Sequence, residues 1–257
     1  MKIFKIMLPV IALLAVGTGC ANKTNYTIKV AQQLNDKELL DKENRVLYES
    51  CINLNIGAAC NSLGYLYGNG IGVKWDYSKA NIYYEKACNL NDSFGCYNLG
   101  NAYYRSRGVK RDYQQANTYY EKACNLNDGS GCNNLGFAYG KGNGVKQDDG
   151  KAIIYYEKAC NLNDGSGCHN LGYLYDSGIG VKQDYKKAST YYEKACKLNN
   201  GGSCHNLGVL YAKGRGVVQS KTTAREYYRK ACYLGERLGQ PGCDNVYESE
   251  SDFALKE

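Results

Sequence analysis

Cysteine is the residue type whose number and spacing in this chain could do chemistry. The 257 residues include 13 cysteines, and ten of these fall into two series with a constant interval of 36 residues. Thiols bind metals, act as nucleophiles or pair as disulfides, and structural zinc sites use cysteines about two to four residues apart. Seven residues separate the cysteines of most neighbouring pairs here. This spacing favours disulfides over a metal site.

Two histidines, His169 and His205, occupy the same position of successive units, 36 residues apart. Imidazole is a common zinc ligand, and a pair on neighbouring helices could begin a metal site. No carboxylate or third histidine converges on them in the sequence. We favour the alternative, two exposed histidines on a helix face, and we expect no metal and no cofactor.

The sequence lacks the short motifs of several enzyme classes. It contains no G-x-S-x-G elbow and none of the S-x-x-K, S-D-N and K-T-G motifs of serine β-lactamases. Glycine-rich stretches such as residues 68–73 lack the Lys-Ser/Thr ending of phosphate-binding loops and recur as turns. A catalytic triad assembled in space stays open, although no residue marks one. The net charge is +7 with no basic run, so we expect no nucleic-acid partner.

Each 36-residue unit begins with a helical pattern. Cys96, Leu99, Gly100 and Tyr103 follow the spacing i, i+3, i+4, i+7, which predicts a helix that ends near Arg105. Gly100 lies in the middle of its apolar face, where glycine costs about 1 kcal/mol relative to alanine. The equivalent residues are Gly64, Gly136, Gly172 and Gly208. We call such a set of equivalent positions a column. We expect another backbone to pass so close to this glycine column that no side chain would fit there.

A second helix follows in each unit. Asp112 is a candidate N-cap, and Ala116, Tyr120 and Cys124 again have helical spacing. Residues 127–129, Asn-Asp-Gly, form a turn signal in which glycine would adopt positive φ. The unit is therefore a helical hairpin, followed by a short turn to the next hairpin.

That short turn would bring the two cysteines that flank it within disulfide distance. Each disulfide would close a loop of about eight residues, which corresponds to roughly 2–3 kcal/mol of stabilisation. The expected pairs are Cys51–Cys60, Cys88–Cys96, Cys124–Cys132, Cys160–Cys168, Cys196–Cys204 and Cys232–Cys243.

The repeat resembles a known family. The patterns Cys-x2-Leu-Gly-x2-Tyr from Cys96 and Ala-x3-Tyr-x2-Ala from Ala116 are similar to the tetratricopeptide repeat, with cysteine in its tryptophan column. The longer period and the cysteines beside the short turn resemble the Sel-one-like repeat of the Helicobacter cysteine-rich proteins. This resemblance implies an all-α fold, a right-handed α/α solenoid over residues 39–257, with about five full repeats and a degenerate half-unit at each end.

The same resemblance implies two classes of function. One is a scaffold that binds a protein or peptide. The other is a weak β-lactamase or penicillin-binding hydrolase that acts on β-lactams or cell-wall fragments, for which the sequence supplies no catalytic residue. We favour the scaffold, acting as a monomer.

The N-terminus predicts export. A basic start, an apolar run over residues 6–16 and Gly17-Thr-Gly-Cys20 are typical of a signal peptide over residues 1–19. Cys20 is a candidate lipidated residue of a periplasmic, outer-membrane-anchored lipoprotein. The alternative is cleavage after Ala21, which would give a secreted protein without a lipid. Residues 20–38 are polar and predict a tether. The high cysteine content also favours an oxidising compartment.

Comparison of equivalent positions indicates where a ligand would bind. Columns that pack in the core, such as that of Leu99, carry nearly the same residue in every repeat. The columns of Tyr97 and Asn101 carry different residues from repeat to repeat. The first helices of a solenoid line its concave surface, so we expect these variable side chains to be exposed there. A uniform column of asparagines beside them could contact a ligand backbone. The alternatives are surface drift for the variable columns and local capping for the asparagines. The candidate residues are Tyr97, Asn98, Asn101, Asn134, Phe137, His169, Asn170, Tyr173, His205 and Asn206.

Overall fold

A computed structural model describes residues 42–235, which form eleven α-helices and no strand. The predicted signal peptide, tether, lipidation site at Cys20 and cysteine at position 243 lie outside these residues. The helices are α1 (Lys42–Ile52), α2 (Gly57–Asn69), α3 (Tyr77–Asn89), α4 (Ser93–Arg105), α5 (Tyr113–Asn125), α6 (Gly129–Lys141), α7 (Asp149–Asn161), α8 (Gly165–Ser177), α9 (Tyr185–Lys197), α10 (Gly201–Lys213) and α11 (Lys221–Tyr233).

The helices form a stack of hairpins. Helices α2 and α3 make the first hairpin, and each following pair repeats this arrangement up to α10 and α11. Helix α1 precedes them and packs on α2. First helices of neighbouring hairpins also contact each other, as α2 does with α4 and α6 with α8. The predicted solenoid of helical hairpins is confirmed.

The helix ends follow from local chemistry. Asp112 caps α5, as the sequence predicts, because its carboxylate accepts bonds from the backbone N–H groups of Gln114 and Gln115. The turn before α6 differs from the prediction. Asn127, with φ of 64°, adopts the left-handed conformation that the sequence assigned to Gly129. Asparagine tolerates this conformation, which leaves Gly129 free to begin α6.

The central glycine of the first helix, such as Gly136, faces both a tyrosine ring and the backbone of the second helix. A Cβ atom added to Gly136 would lie 2.8 Å from Cδ1 of Tyr156 and 3.2 Å from the carbonyl oxygen of Ala152. The same tyrosine contact recurs at the equivalent glycine of every repeat. The expectation of a close approach is therefore correct, but the nearest atoms belong to the side chain of the second helix.

Within residues 42–235, four disulfides join successive hairpins, and a fifth joins α1 to the first hairpin. Their Cα–Cα distances lie between 4.5 and 4.8 Å, and their cysteines are at most 1 % exposed. The pairs are Cys51–Cys60, Cys88–Cys96, Cys124–Cys132, Cys160–Cys168 and Cys196–Cys204. The sixth predicted pair includes Cys243 and stays a prediction. Five disulfides indicate an oxidising environment outside the cytoplasm.

Two glycines of α6 provide a matched test of this packing. We expect Gly136→Ala to lower the free energy of unfolding by about 1–2 kcal/mol, because the methyl group meets the Tyr156 ring. Gly140→Ala should raise it by about 0.5 kcal/mol, since the nearest atom to an added Cβ there is 3.6 Å away and alanine favours the helix. Urea denaturation of both variants measures the difference. Equal effects at the two positions would contradict this packing.

Candidate ligand-binding groove

Two cavities open beside the first helices at the N-terminal end of the stack. The first has a volume of about 400 Å³ and lies between the first and second hairpins. The second has a volume of about 220 Å³ and lies between the second and third. Residues of the first cavity are Gly68, Asn69, Tyr77, Asn81, Tyr84, Tyr97, Asn98, Asn101, Ala102, Arg105 and Arg107. Residues of the second are Asn101, Tyr104, Arg105, Asn117, Tyr120, Asn133, Asn134, Phe137 and Ala138.

The two cavities are the same site, one repeat apart. Every residue of the second cavity except Asn101 is 36 positions after a residue of the first, as Asn134 is after Asn98 and Phe137 after Asn101. Asn101 and Arg105 line both cavities. We call the surface formed by both sets of lining residues the asparagine groove.

The structure brings half of the candidate residues together. Tyr97, Asn98, Asn101, Asn134 and Phe137 all line the asparagine groove. The other five belong to later repeats and line neither cavity. These are His169, Asn170, Tyr173, His205 and Asn206.

Asparagine side chains of the uniform column connect neighbouring first helices. Asn98 Nδ2 donates to Asn61 Oδ1 at 2.9 Å, which joins α4 to α2. Asn170 donates in the same way to Asn133 at 2.8 Å. The alternative of local capping is therefore wrong for these two amides, because each hydrogen bond crosses to the preceding repeat.

Asn101 is the polar centre of the groove. Its Oδ1 atom accepts hydrogen bonds from the Tyr120 hydroxyl at 2.8 Å and from Asn134 Nδ2 at 3.4 Å. Burial raises the pKa of Tyr120 well above its ordinary value, so its hydroxyl stays protonated and donates. Because both bonds use the Asn101 carbonyl, its NH2 group is left to donate to a ligand.

The aromatic candidates differ in exposure. Phe137 is 37 % exposed and Tyr173 is 49 % exposed, as the sequence predicts. Tyr97 is half-buried, with its ring centroid 6.2 Å from that of Tyr120, and it packs against the cluster around Cys96. The prediction that Tyr97 is exposed is wrong, because the second helix of its own hairpin covers part of the ring.

Both histidines are half-buried, which corrects the prediction of exposed side chains. Nδ1 of His169 lies 2.8 Å from the hydroxyl oxygen of Ser203, and the histidine ring packs on Tyr192. Burial lowers the pKa of His169, which favours the neutral imidazole. Ser203 has no exposed surface, so a substrate cannot reach this hydroxyl. His205 packs on Tyr228 in the same way.

No group of three or more histidine, cysteine, aspartate or glutamate side chains within residues 42–235 could hold a metal ion. The paired cysteines are occupied by disulfides, and the two histidines face tyrosine rings. The chemistry of the groove is therefore that of amide, hydroxyl, guanidinium and aromatic groups.

Sequence comparison did not identify two arginines of the groove. Arg105 lines both cavities, and Arg107 lines the first with its guanidinium 5.6 Å from the Tyr77 ring centroid. The sequence did contain a signal for Arg105, which is one helical turn after Asn101. That position is basic or polar and differs between repeats: Asn69, Arg105, Lys141, Ser177 and Lys213.

Family comparison gives the same repeat boundaries as the helices. Sel1 repeats match residues 57–92, 93–128, 129–164, 165–200 and 202–236. The chain belongs to the Sel1 repeat family. The first four matches begin at the first residue of α2, α4, α6 and α8, so each Sel1 repeat corresponds to one hairpin. A comparison with curated protein sequences gave no match.

Solved structures of Sel1 repeat proteins resemble this one. A Sel1 repeat protein from Oxalobacter formigenes is 29 % identical, with a TM-score of 0.69 and 84 % of each chain covered. A protective antigen of uropathogenic Escherichia coli with an SLR fold is 25 % identical, with a TM-score of 0.71; the match covers 91 % of this chain and 49 % of the antigen.

Cysteine-rich protein B of Helicobacter pylori is 41 % identical over 53 % of this Sel1 repeat chain and 96 % of its own length, with a TM-score of 0.43. The predicted Sel-one-like repeat is confirmed by the five Sel1 matches. None of the described helices of this Sel1 repeat protein is long and apolar enough to cross a membrane.

Proposed function

We propose that this Sel1 repeat protein is a monomeric scaffold that binds a protein or peptide segment in the asparagine groove. The observation that carries this proposal is the repetition of one amide-lined cavity in two adjacent repeats. A repeated site suits a ligand that is itself repetitive along its length, and an extended polypeptide backbone is such a ligand.

The amides match the hydrogen-bonding needs of a peptide. An asparagine side chain carries both donors and an acceptor, as each peptide unit does. Asn98 and Asn101 are positioned by their bonds to Asn61 and Tyr120, which lowers the entropic cost of binding. Phe137 adds a partly exposed ring that can cover an apolar side chain of the ligand.

The spacing of the repeats also suits an extended chain. Axes of packed helices are about 8–10 Å apart, and an extended peptide rises about 3.3 Å per residue. Successive cavities would thus be about three residues apart along such a ligand. This spacing would allow the scaffold to recognise side chains of the ligand as well as its backbone.

We also propose that the protein is exported through residues 1–19 and carries a lipid on Cys20. The basic start, the apolar run and the small residue before Cys20 support this proposal, as do the disulfides. A lipid at that position would hold the solenoid at the periplasmic side of the outer membrane by the tether of residues 20–38.

Mass spectrometry of the mature N-terminus tests the lipid. We expect a first peptide that begins at Cys20 and carries the added mass of acyl chains, which Cys20→Ser should abolish. A mature chain that begins at Asn22 would contradict lipidation and indicate a secreted protein.

Peptides selected from a random library on the oxidised protein test the binding function. We expect Phe137→Ala to raise the Kd of a selected peptide at least fivefold, which corresponds to about 1 kcal/mol, because the ring is a contact surface. Isothermal titration calorimetry measures the change. The melting temperature should change little, since Phe137 is partly exposed in the free protein.

Ile154→Ala is the matched control. Ile154 is 63 % exposed on the second helix α7, and it lines neither cavity, so its removal should leave the Kd unchanged. Failure to select any peptide, or equal effects of the two substitutions, would contradict binding in the asparagine groove.

A further inference from the structure

We propose that the asparagine groove selects acidic peptide segments, with Arg105 and Arg107 binding their carboxylates. This inference rests on the proposed function and specifies its ligand. The first cavity is lined by both arginines and by no aspartate or glutamate. The second is lined by Arg105 and likewise by no acidic residue. Both cavities therefore favour a ligand of negative charge.

The loop between α4 and α5 concentrates this charge. Residues 105–112 include four basic side chains, all exposed, and one acid. That acid, Asp112, already accepts two backbone hydrogen bonds as the cap of α5. The equivalent loops of the other four repeats carry one or two basic residues each. Positive charge is thus greatest beside the two cavities and not evenly repeated along the stack.

Contacts with the preceding repeat hold Arg107 in place. Its guanidinium lies over the Tyr77 ring, 5.6 Å from the centroid. Asn81 Nδ2 donates to the Arg107 carbonyl oxygen at 2.7 Å, which fixes the backbone of the loop. A guanidinium above an aromatic ring still has N–H groups that can bind a carboxylate in bidentate geometry.

The net charge of the whole stack also favours an acidic partner. Residues 42–235 contain 25 lysines and arginines and 16 aspartates and glutamates, a net charge of +9. Such a field raises the rate at which an acidic partner meets the surface, and salt screens the effect.

The amides favour a peptide over a phosphate polymer. A phosphate backbone offers only acceptors to the groove, so the carbonyl oxygens of asparagines such as Asn98 would lose water without gaining a donor. An acidic peptide supplies backbone N–H donors to these oxygens and carboxylates to the arginines. It satisfies both kinds of group in the asparagine groove.

Two fluorescent probes of equal length test the inference: a hexaglutamate peptide and a hexaglutamine peptide. We expect the oxidised full-length protein to bind hexaglutamate at least tenfold more tightly by fluorescence anisotropy, and increasing NaCl to weaken that binding. Arg105→Gln should reduce hexaglutamate affinity severalfold, and Arg105→Gln with Arg107→Gln at least tenfold. Arg105 alone is an exposed side chain, so its variant tests the groove even if loss of the Tyr77 contact disturbs the double variant.

Arg215→Gln is the matched control. Arg215 lies over the Tyr185 ring at 5.4 Å, as Arg107 does over Tyr77, but it lines neither cavity. Its substitution removes one charge and one cation–π contact, and the Kd for hexaglutamate should change less than twofold.

The outcomes separate this inference from the proposed function. Equal affinity for both probes, or equal losses in the Arg105 and Arg215 variants, would overturn acidic selectivity while selected neutral peptides could still bind. Tighter, arginine-dependent binding of inorganic polyphosphate would overturn the choice of a peptide. If neither the probes nor any selected peptide bind, the proposed function fails as well.

Discussion

The short turn between hairpins, closed by a disulfide, is the constraint on which the rest of the stack depends. It joins the last turn of one second helix to the first turn of the next first helix, with Cα atoms 4.6 Å apart at Cys124–Cys132. An eight-residue loop closed in this way contributes about 2.5 kcal/mol by chain entropy. Both cysteines also belong to a buried cluster with Ala159 of α7. One disulfide thereby fixes the position of one hairpin against the next and contributes to the packing of α7.

Small and aromatic residues complete the stack around these crosslinks. A tyrosine ring fills the space beside the central glycine of each first helix, such as Gly136, so the two helices of a hairpin approach closely. Buried side chains are mostly alanine, cysteine, leucine and tyrosine, and each cluster extends across a repeat boundary. Because packing uses the same columns in every repeat, the neighbouring columns are free to differ. Three residues of the asparagine groove, Asn101, Phe137 and Arg105, come from such variable positions.

Periodicity in the sequence predicted the hairpins, the glycine and alanine packing columns and the disulfide partners, because each depends on contacts that recur every 36 residues. It did not predict the burial of Tyr97 and His169, which depends on the particular tyrosine that each meets on a second helix. Arg105 and Arg107 were also missed. Arg105 is one helical turn after Asn101 on α4, at a variable position that could have identified it. Arg107 lies in the loop after α4, which contacts Tyr77 and Asn81 of the preceding repeat, and helical spacing does not predict that contact.

Mapping the disulfides of the native protein tests the central claim most directly. Proteolysis without reduction, at a pH that prevents exchange, followed by mass spectrometry, identifies which cysteines are joined. The structure predicts that peptides containing Cys88 and Cys96, and equally Cys124 and Cys132, are linked across each short turn. Links that skip a repeat, or free thiols at these positions in a folded protein, would contradict it.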